Sequence, residues 1–137
     1  MSVGSRLRAH LNSLGRVLLA ELEPAGLDAY FRQVTLTKVC TTTDDDEASI
    51  RHAIAQAAER GYALADQQLQ PGRRAIAVPI RLRGGRAYAA LNASADASRA
   101  TPEDMLKTFL PTLRRAAHAI SHTMEAQKLP VMAFGRP

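Results

Sequence analysis

The chain has no tryptophan, one cysteine and only 4% aromatic residues, and each shortage excludes something. A lone thiol, Cys40, forms no internal disulfide, which argues against a stapled secreted fold and for a reducing compartment. No stretch approaches the roughly 20 apolar residues that span a bilayer, and residues 1–8 lack the apolar core of a signal peptide. The expected location is the cytoplasm, with no membrane partner. Sparse aromatics leave little to stack on bases, and the 18 Lys and Arg residues are scattered rather than run together. A formal charge of +5 therefore does not by itself mark a nucleic-acid surface.

Catalytic groups are as scarce as aromatics. His10 and His52 have no obvious acid partner in sequence, and Cys40 precedes threonines with no histidine nearby. His118 and His122 are spaced to share a helix face, but no carboxylate falls between them as metallopeptidases require. Asp44, Asp45, Asp46 and Glu47 point in different directions around one helical turn, so they read as first-turn charges rather than a cation site. Ser13-Leu14-Gly15-Arg16 lacks the spaced glycines and the lysine of a phosphate loop. No nucleophile, base and orienting group can be assembled. The expectation is no enzyme, no catalytic residue, no metal and no cofactor.

What is present suits one folded unit. The 137 residues are 46% apolar and 23% charged, enough to bury one core. Residues 1–128 read as that unit and 129–137 as a tail. Asn12 or Ser13 can cap a helix running through Arg16-Val17-Leu18-Leu19-Ala20-Glu21, and the amides of such a helix start form a ready acceptor for an anion without a dedicated arginine. Pro24 opens a second helix through Tyr30 and Phe31. Residues 34–39 alternate as a short strand. The acidic stretch starts a third helix with Ile50, Ile54, Ala57 and Ala58 at helical spacing, stopped by Gly61. Residues 62–68 read as a strand. Thr101 and Pro102 start the last helix, whose apolar stripe is Leu106, Phe109, Leu110, Leu113, Ala117, Ile120 and Met124, with Pro111 as a kink inside it.

Between them, residues 75–83 and 86–95 read as a hairpin closed by Gly84-Gly85. A two-residue turn there sets Arg83 opposite Arg86, Arg81 opposite Tyr88, Ala77 opposite Asn92 and Ala75 opposite Ser94. One face then carries Ile76, Val78, Ile80 and Leu82 with Leu91, Ala89 and Ala87, for helices to cover. The other carries Ala75, Ala77 and Pro79 with Ala90, Asn92 and Ser94. Small side chains beside two polar groups suit a pocket floor or a plain solvent-facing sheet, and the pattern does not choose between them.

Five segments in order carry a family resemblance: residues 6–20, with Ser13-Leu14-Gly15-Arg16-Val17-Leu18-Leu19-Ala20; Arg60-Gly61-Tyr62-Ala63; Pro71-Gly72 leading into Ile76-Ala77-Val78-Pro79-Ile80; residues 89–94 with Ser98-Arg99-Ala100-Thr101; and Leu110-Pro111-Thr112-Leu113. Together they resemble the effector-binding part of IclR-family transcription regulators, over residues 4 to about 125. The form of the first segment is most similar to the branch that senses protocatechuate, 4-hydroxybenzoate and β-ketoadipate-type acids in aromatic acid catabolism. The resemblance implies an α+β, GAF- or profilin-like fold, a curved antiparallel sheet flanked by helices and here lacking the family's first strands. It places a small organic acid between the sheet and the first helix start, at Ser13, Leu14 and Gly15 and at Asn92 and Ser94. Ala65 and Ala75 occupy positions where the family commonly has a hydrogen-bonding residue, and Arg8 stands where proline is usual. No winged helix-turn-helix precedes the first segment, so the chain is expected to be either a fragment or a truncated relative. DNA would be reached only through such a domain outside it.

These expectations describe a sensor that binds a small carboxylic acid, forms a dimer or tetramer and acts on DNA allosterically. The competing reading is a structural or oligomerisation module that has lost its ligand, which Ala65 and Ala75 favour.

Overall fold

The computed structural model describes residues 3–83 and 85–127, so the expected tail at 129–137 lies outside the described residues. A 3-10 turn, Ala9–Leu11, leads into helices α1 (Ser13–Leu19), α2 (Pro24–Gln33) and α3 (Glu47–Arg60). Strands β1 (Ala63–Asp66), β2 (Arg73–Arg81) and β3 (Ala87–Asp96) follow. The last helical region is α4 (Pro102–Asp104), a π-helical stretch Met105–Phe109 and α5 (Leu110–Ala126). The strands pair antiparallel in the order β1-β2-β3, giving the expected α+β class.

Capping chemistry sets the helix boundaries. Asn12 Oδ1 accepts the Gly15 N–H at 2.8 Å, and Asp46 accepts the Ser49 N–H at 2.8 Å. Thr101 and Asp104 close a reciprocal capping box over Pro102. Gly61 ends α3 at φ 71°, a left-handed conformation open to glycine without a Cβ penalty.

Both faces of the sheet are covered. Ile76, Val78 and Ile80 meet Met105, Leu110, Leu113 and Ala117 on one side. On the other, Ala63 and Ala77 pack against Val17 of α1 and Ala57 of α3. The outer faces of α1 and α3 bury Leu19, Ile50 and Ile54 against Phe31 of α2. At roughly 25 cal/mol per Å² of apolar surface removed from water, these three clusters supply the main force for folding.

The hairpin register is as expected where it matters for the pocket face: Ala75 faces Ser94 and Ala77 faces Asn92. At the turn it differs. The register shifts between Ile80 and Arg81, so Arg81 faces Ala87 rather than Tyr88. Arg83 lies outside β2 at φ 46°, and the Gly85 N–H donates to Leu82 O at 2.8 Å, so the turn is not centred on Gly84-Gly85 as expected. Glu21, two residues past the end of α1, provides the reason. Its carboxylate accepts from Arg81 at 2.6 Å and from the Ala87 N–H at 3.2 Å, drawing both to the α1 side. Tyr88 takes the α5 side, where its hydroxyl meets the Met124 sulfur. Tyr88, not Ala87, therefore joins the apolar layer.

Other expectations also change. Residues 34–39 form no strand; Val34 and Leu36 satisfy their alternation by packing on the α1–α2–α3 cluster, with Thr35 and Thr37 outward. β1 stops at Asp66 because Gln67, at φ 55°, turns the chain away. Ala58 is exposed, and Ile120 is 36% exposed. The fully buried Met105 lies outside the expected stripe. Here the Leu110 N–H reaches back five residues to Met105 O, a widened turn that admits Pro111, which has no N–H, and shifts the helical phase.

Candidate functional site

The entry to α1 is built by close backbone approach. Arg16, 4% exposed, donates from Nε to His10 O at 2.8 Å, tying the helix to the 3-10 turn before it. A Cβ on Gly15 would lie 2.2 Å from Ala9 O, so the two segments fit only with glycine there. His10 is fully buried, with Nδ1 2.7 Å from the Tyr30 hydroxyl and Nε2 unpartnered. Burial, then the charges of Arg16 and Arg8, push its pKa below the usual histidine value. Arg16 completes its pairing with Asp44 at 3.3 Å; burial pulls its own pKa down and Asp44 opposes that.

This scaffold lays Ser13 and Leu14 over the face of the sheet that carries Ala75, Asn92 and Ser94. Between them is a cavity of about 90 Å³. Six of the seven expected site residues line it: Ser13, Leu14, Ala65, Ala75, Asn92 and Ser94. Gly15 is not among the lining residues, and its N–H is already held by Asn12. Its place in the structure is the close approach to Ala9. Ser13 is 1% exposed and its Oγ has no hydrogen-bond partner. Buried hydroxyls nearly always have one; among the described residues His10 Nε2, Asp66 Oδ1 and Arg74 Nε share this state, but of the four only Ser13 belongs to the cavity lining.

Sequence reasoning missed Leu7, Leu11, Leu69, Gln70 and Arg73, which also line the cavity, and took Asn12, another lining residue, only as a helix cap. Arg73 was within reach of the register argument, since residues 73, 75 and 77 of one strand share a face. Leu7, Leu69 and Gln70 lie on irregular segments and Leu11 in a three-residue 3-10 turn, all too short for a periodicity to show.

The other flagged residues do not gather. Among the described residues no group of three His, Cys, Asp or Glu is placed to hold a metal ion. The acidic run is dispersed: Asp44 pairs with Arg16, Asp46 caps α3 and Glu47 pairs with Arg51 at 2.7 Å. Cys40 lies against the hydroxyls of Thr42 and Thr43, whose hydrogen bonds hold its pKa below the usual thiol value, with no histidine beside it. No helix among the described residues is long and apolar enough to cross a membrane.

Fold and cavity together define an α+β domain with a small lined pocket between a helix start and a sheet. The family model for the C-terminal part of the bacterial transcriptional regulator IclR matches residues 1–122, and the chain belongs to that family. It is 36% identical to the Pca regulon regulatory protein of Pseudomonas putida over 90% of this chain and 43% of that protein. It is 33% identical to the HTH-type transcriptional regulator XynR of Escherichia coli over 89% of this chain and 48% of that protein. The chain thus spans about half the length of the curated relatives it matches. Among solved structures, a transcriptional regulator from Rhodococcus sp. RHA1 superposes with a TM-score of 0.86 at 35% identity, over 89% of this chain and 50% of that one. A double mutant of the inducer-binding domain of PobR from Acinetobacter, in complex with 3-hydroxybenzoic acid, superposes at 0.81 with 29% identity, over 88% and 69%. An IclR homologue from Microbacterium hydrocarbonoxydans, complexed with 4-hydroxybenzoate, superposes at 0.78 with 30% identity, over 91% and 49%. These relatives are transcription regulators, and the family is not one of enzymes.

Proposed function

We propose that residues 1–128 are the effector-sensing domain of an IclR-type regulator and that the cavity between α1 and the β2–β3 face holds a small organic acid. The observation that carries the reading is the buried, unpartnered hydroxyl of Ser13, which lines the same small cavity as Asn92 and Ser94. Two solved relatives hold hydroxybenzoates, which favours a hydroxylated acid of the kind met in aromatic catabolism.

Size shapes the mechanism. About 90 Å³ is less than the roughly 150 Å³ of an engineered cavity that accepts benzene. A short acid fits directly, whereas a ring requires Leu7 or Leu14 to move. Leu14 also lines a groove on the outer side of α1, with Leu18 and Leu22, both about 40% exposed. A guest that moves Leu14 therefore changes an apolar surface suited to contact between subunits. The acid selects one dimer or tetramer arrangement, and that bias repositions a DNA-reading unit outside these residues. Such a regulator works in the cytoplasm, beside the chromosome.

The small volume also favours the second reading, a module that has lost its ligand and serves assembly alone. Titration calorimetry and thermal shift with 3-hydroxybenzoate, 4-hydroxybenzoate and a set of aliphatic hydroxy acids separate the two. Saturable binding that weakens when Asn92 and Ser94 are made apolar supports the sensor; a folded sample that binds none of them at millimolar concentration supports the module.

A further inference from the structure

We infer that Arg73 is the specificity-determining residue of this pocket, holding the guest's carboxylate at the open end so that its polar substituent points inward to Ser13 and Asn92. The inference rests on the pocket reading above and goes beyond it, because the sequence expectation assigned the carboxylate to the amides of the α1 start.

Those amides are poorly placed for the task. Asn12 already occupies the Gly15 N–H, and α1 has only 7 residues, so its dipole is short. Among the described lining residues Arg73 is the only one that carries a charge. It is exposed, stands at the first position of β2, and makes no ion pair with another described residue. Its cross-strand neighbour Asp96 accepts from Ser98 N at 2.9 Å and Ser98 Oγ at 2.6 Å through one carboxylate oxygen, so Arg73 feels its charge without a direct ion pair.

The sheet register orders the pocket along β2. Arg73 comes first, then the row Ala65–Ala75–Ser94, then the row Ala77–Asn92. At about 3.3 Å per residue the first and last rows are roughly 13 Å apart, a span that an arginine side chain and one small acid can bridge. The middle row is two alanines and a serine, so nothing bulky interrupts it. A guanidinium takes a carboxylate in two parallel hydrogen bonds, which fixes orientation as well as charge. The inner end offers a hydroxyl and an amide, groups that recognise a neutral hydroxyl or carbonyl but not a second anion.

The test compares matched acids and amides: 4-hydroxybenzoate with 4-hydroxybenzamide, and lactate with lactamide, titrated calorimetrically into the wild type, Arg73→Gln and Arg73→Lys. For the pair that binds, the wild type is expected to prefer the acid about tenfold at low salt, with the preference shrinking as salt rises. Arg73→Gln should remove the preference while changing amide affinity by less than about twofold, and Arg73→Lys should keep part of it. Because Arg73 is exposed and its backbone bonds do not involve the side chain, both variants should fold. A wild type that binds acid and amide equally, or an Arg73→Gln variant that still prefers the acid, overturns the role of Arg73 and leaves the pocket standing. Failure of all four compounds to bind the wild type overturns the pocket itself, and Arg73 with it.

Discussion

Replacing Ser13 by alanine should make the empty protein more stable and the sensor worse. In most proteins a buried serine hydroxyl is hydrogen-bonded, and its removal costs stability. Here the residue is 1% exposed and Oγ has no partner, so folding strips the hydroxyl of water and returns nothing. The penalty for such a group is about 1–3 kcal/mol. Alanine removes it, and helix geometry does not suffer, because the cap is Asn12 rather than Ser13. Alanine is also the better helix former at the first position of α1. The lost oxygen leaves a void of only one atom beside an existing cavity. The expected net gain is about 1 kcal/mol, equivalent to roughly 3–4 °C in Tm for a chain of this size. Urea and thermal unfolding of both proteins, with and without a saturating hydroxy acid, provide the assay. Bound guest should stabilise the wild type more than the variant, narrowing or reversing the gap. An apo variant less stable than wild type by 1 kcal/mol or more would show that the hydroxyl is satisfied, and the case for a polar guest at Ser13 would fail.

Two further outcomes follow from the same region. Gly15→Ala should destabilise by about 3 kcal/mol despite alanine's higher helix propensity, because the added Cβ meets the Ala9 backbone at 2.2 Å. Gly26→Ala is the control: its Cβ would lie 3.6 Å from Leu22 Cβ, an ordinary contact, so stability should hold or rise slightly. Chemical denaturation that ranks the two variants equally would refute the close-approach argument. The third concerns His10, whose folded pKa lies below its unfolded value of about 6.5 because it is buried beside Arg16 and Arg8. Between the folded pKa and about 6.5 the unfolded chain binds the proton and the folded chain does not. Stability should therefore fall as pH drops through that window. Urea midpoints of wild type and His10→Gln from pH 8 to pH 5 check this; an unchanged acid slope in the variant would rule out His10 as its source.

What was legible in the sequence was local. The pair Asn12-Ser13, the stretch at residues 42–47 and Thr101 announce helix starts because a side-chain oxygen satisfies an amide two or three residues on, although only the structure picks Asn12 and Asp46 as the caps; Gly61 announces a stop because only glycine takes that backbone angle cheaply. Side-chain alternation together with the register fixed Ala75 opposite Ser94 and Ala77 opposite Asn92, which brings the polar pair of β3 to one face. These are short-range facts, decided within a few residues or across a single hairpin.

Tertiary structure decided the rest. Tyr88 changes sides because Glu21, distant in sequence, draws Arg81 and the Ala87 amide toward α1. Met105 turns inward because the turn before Pro111 widens. The expected strand at residues 34–39 finds no partner, and a strand exists only where another backbone takes its hydrogen bonds. Most of all, the sequence marks Ser13 as a helix-start residue but cannot say that its hydroxyl is buried without a partner, nor that Arg73 stands at the mouth of the same space. Both depend on how α1 is laid across the sheet, and that follows from a glycine small enough to let Ala9 approach.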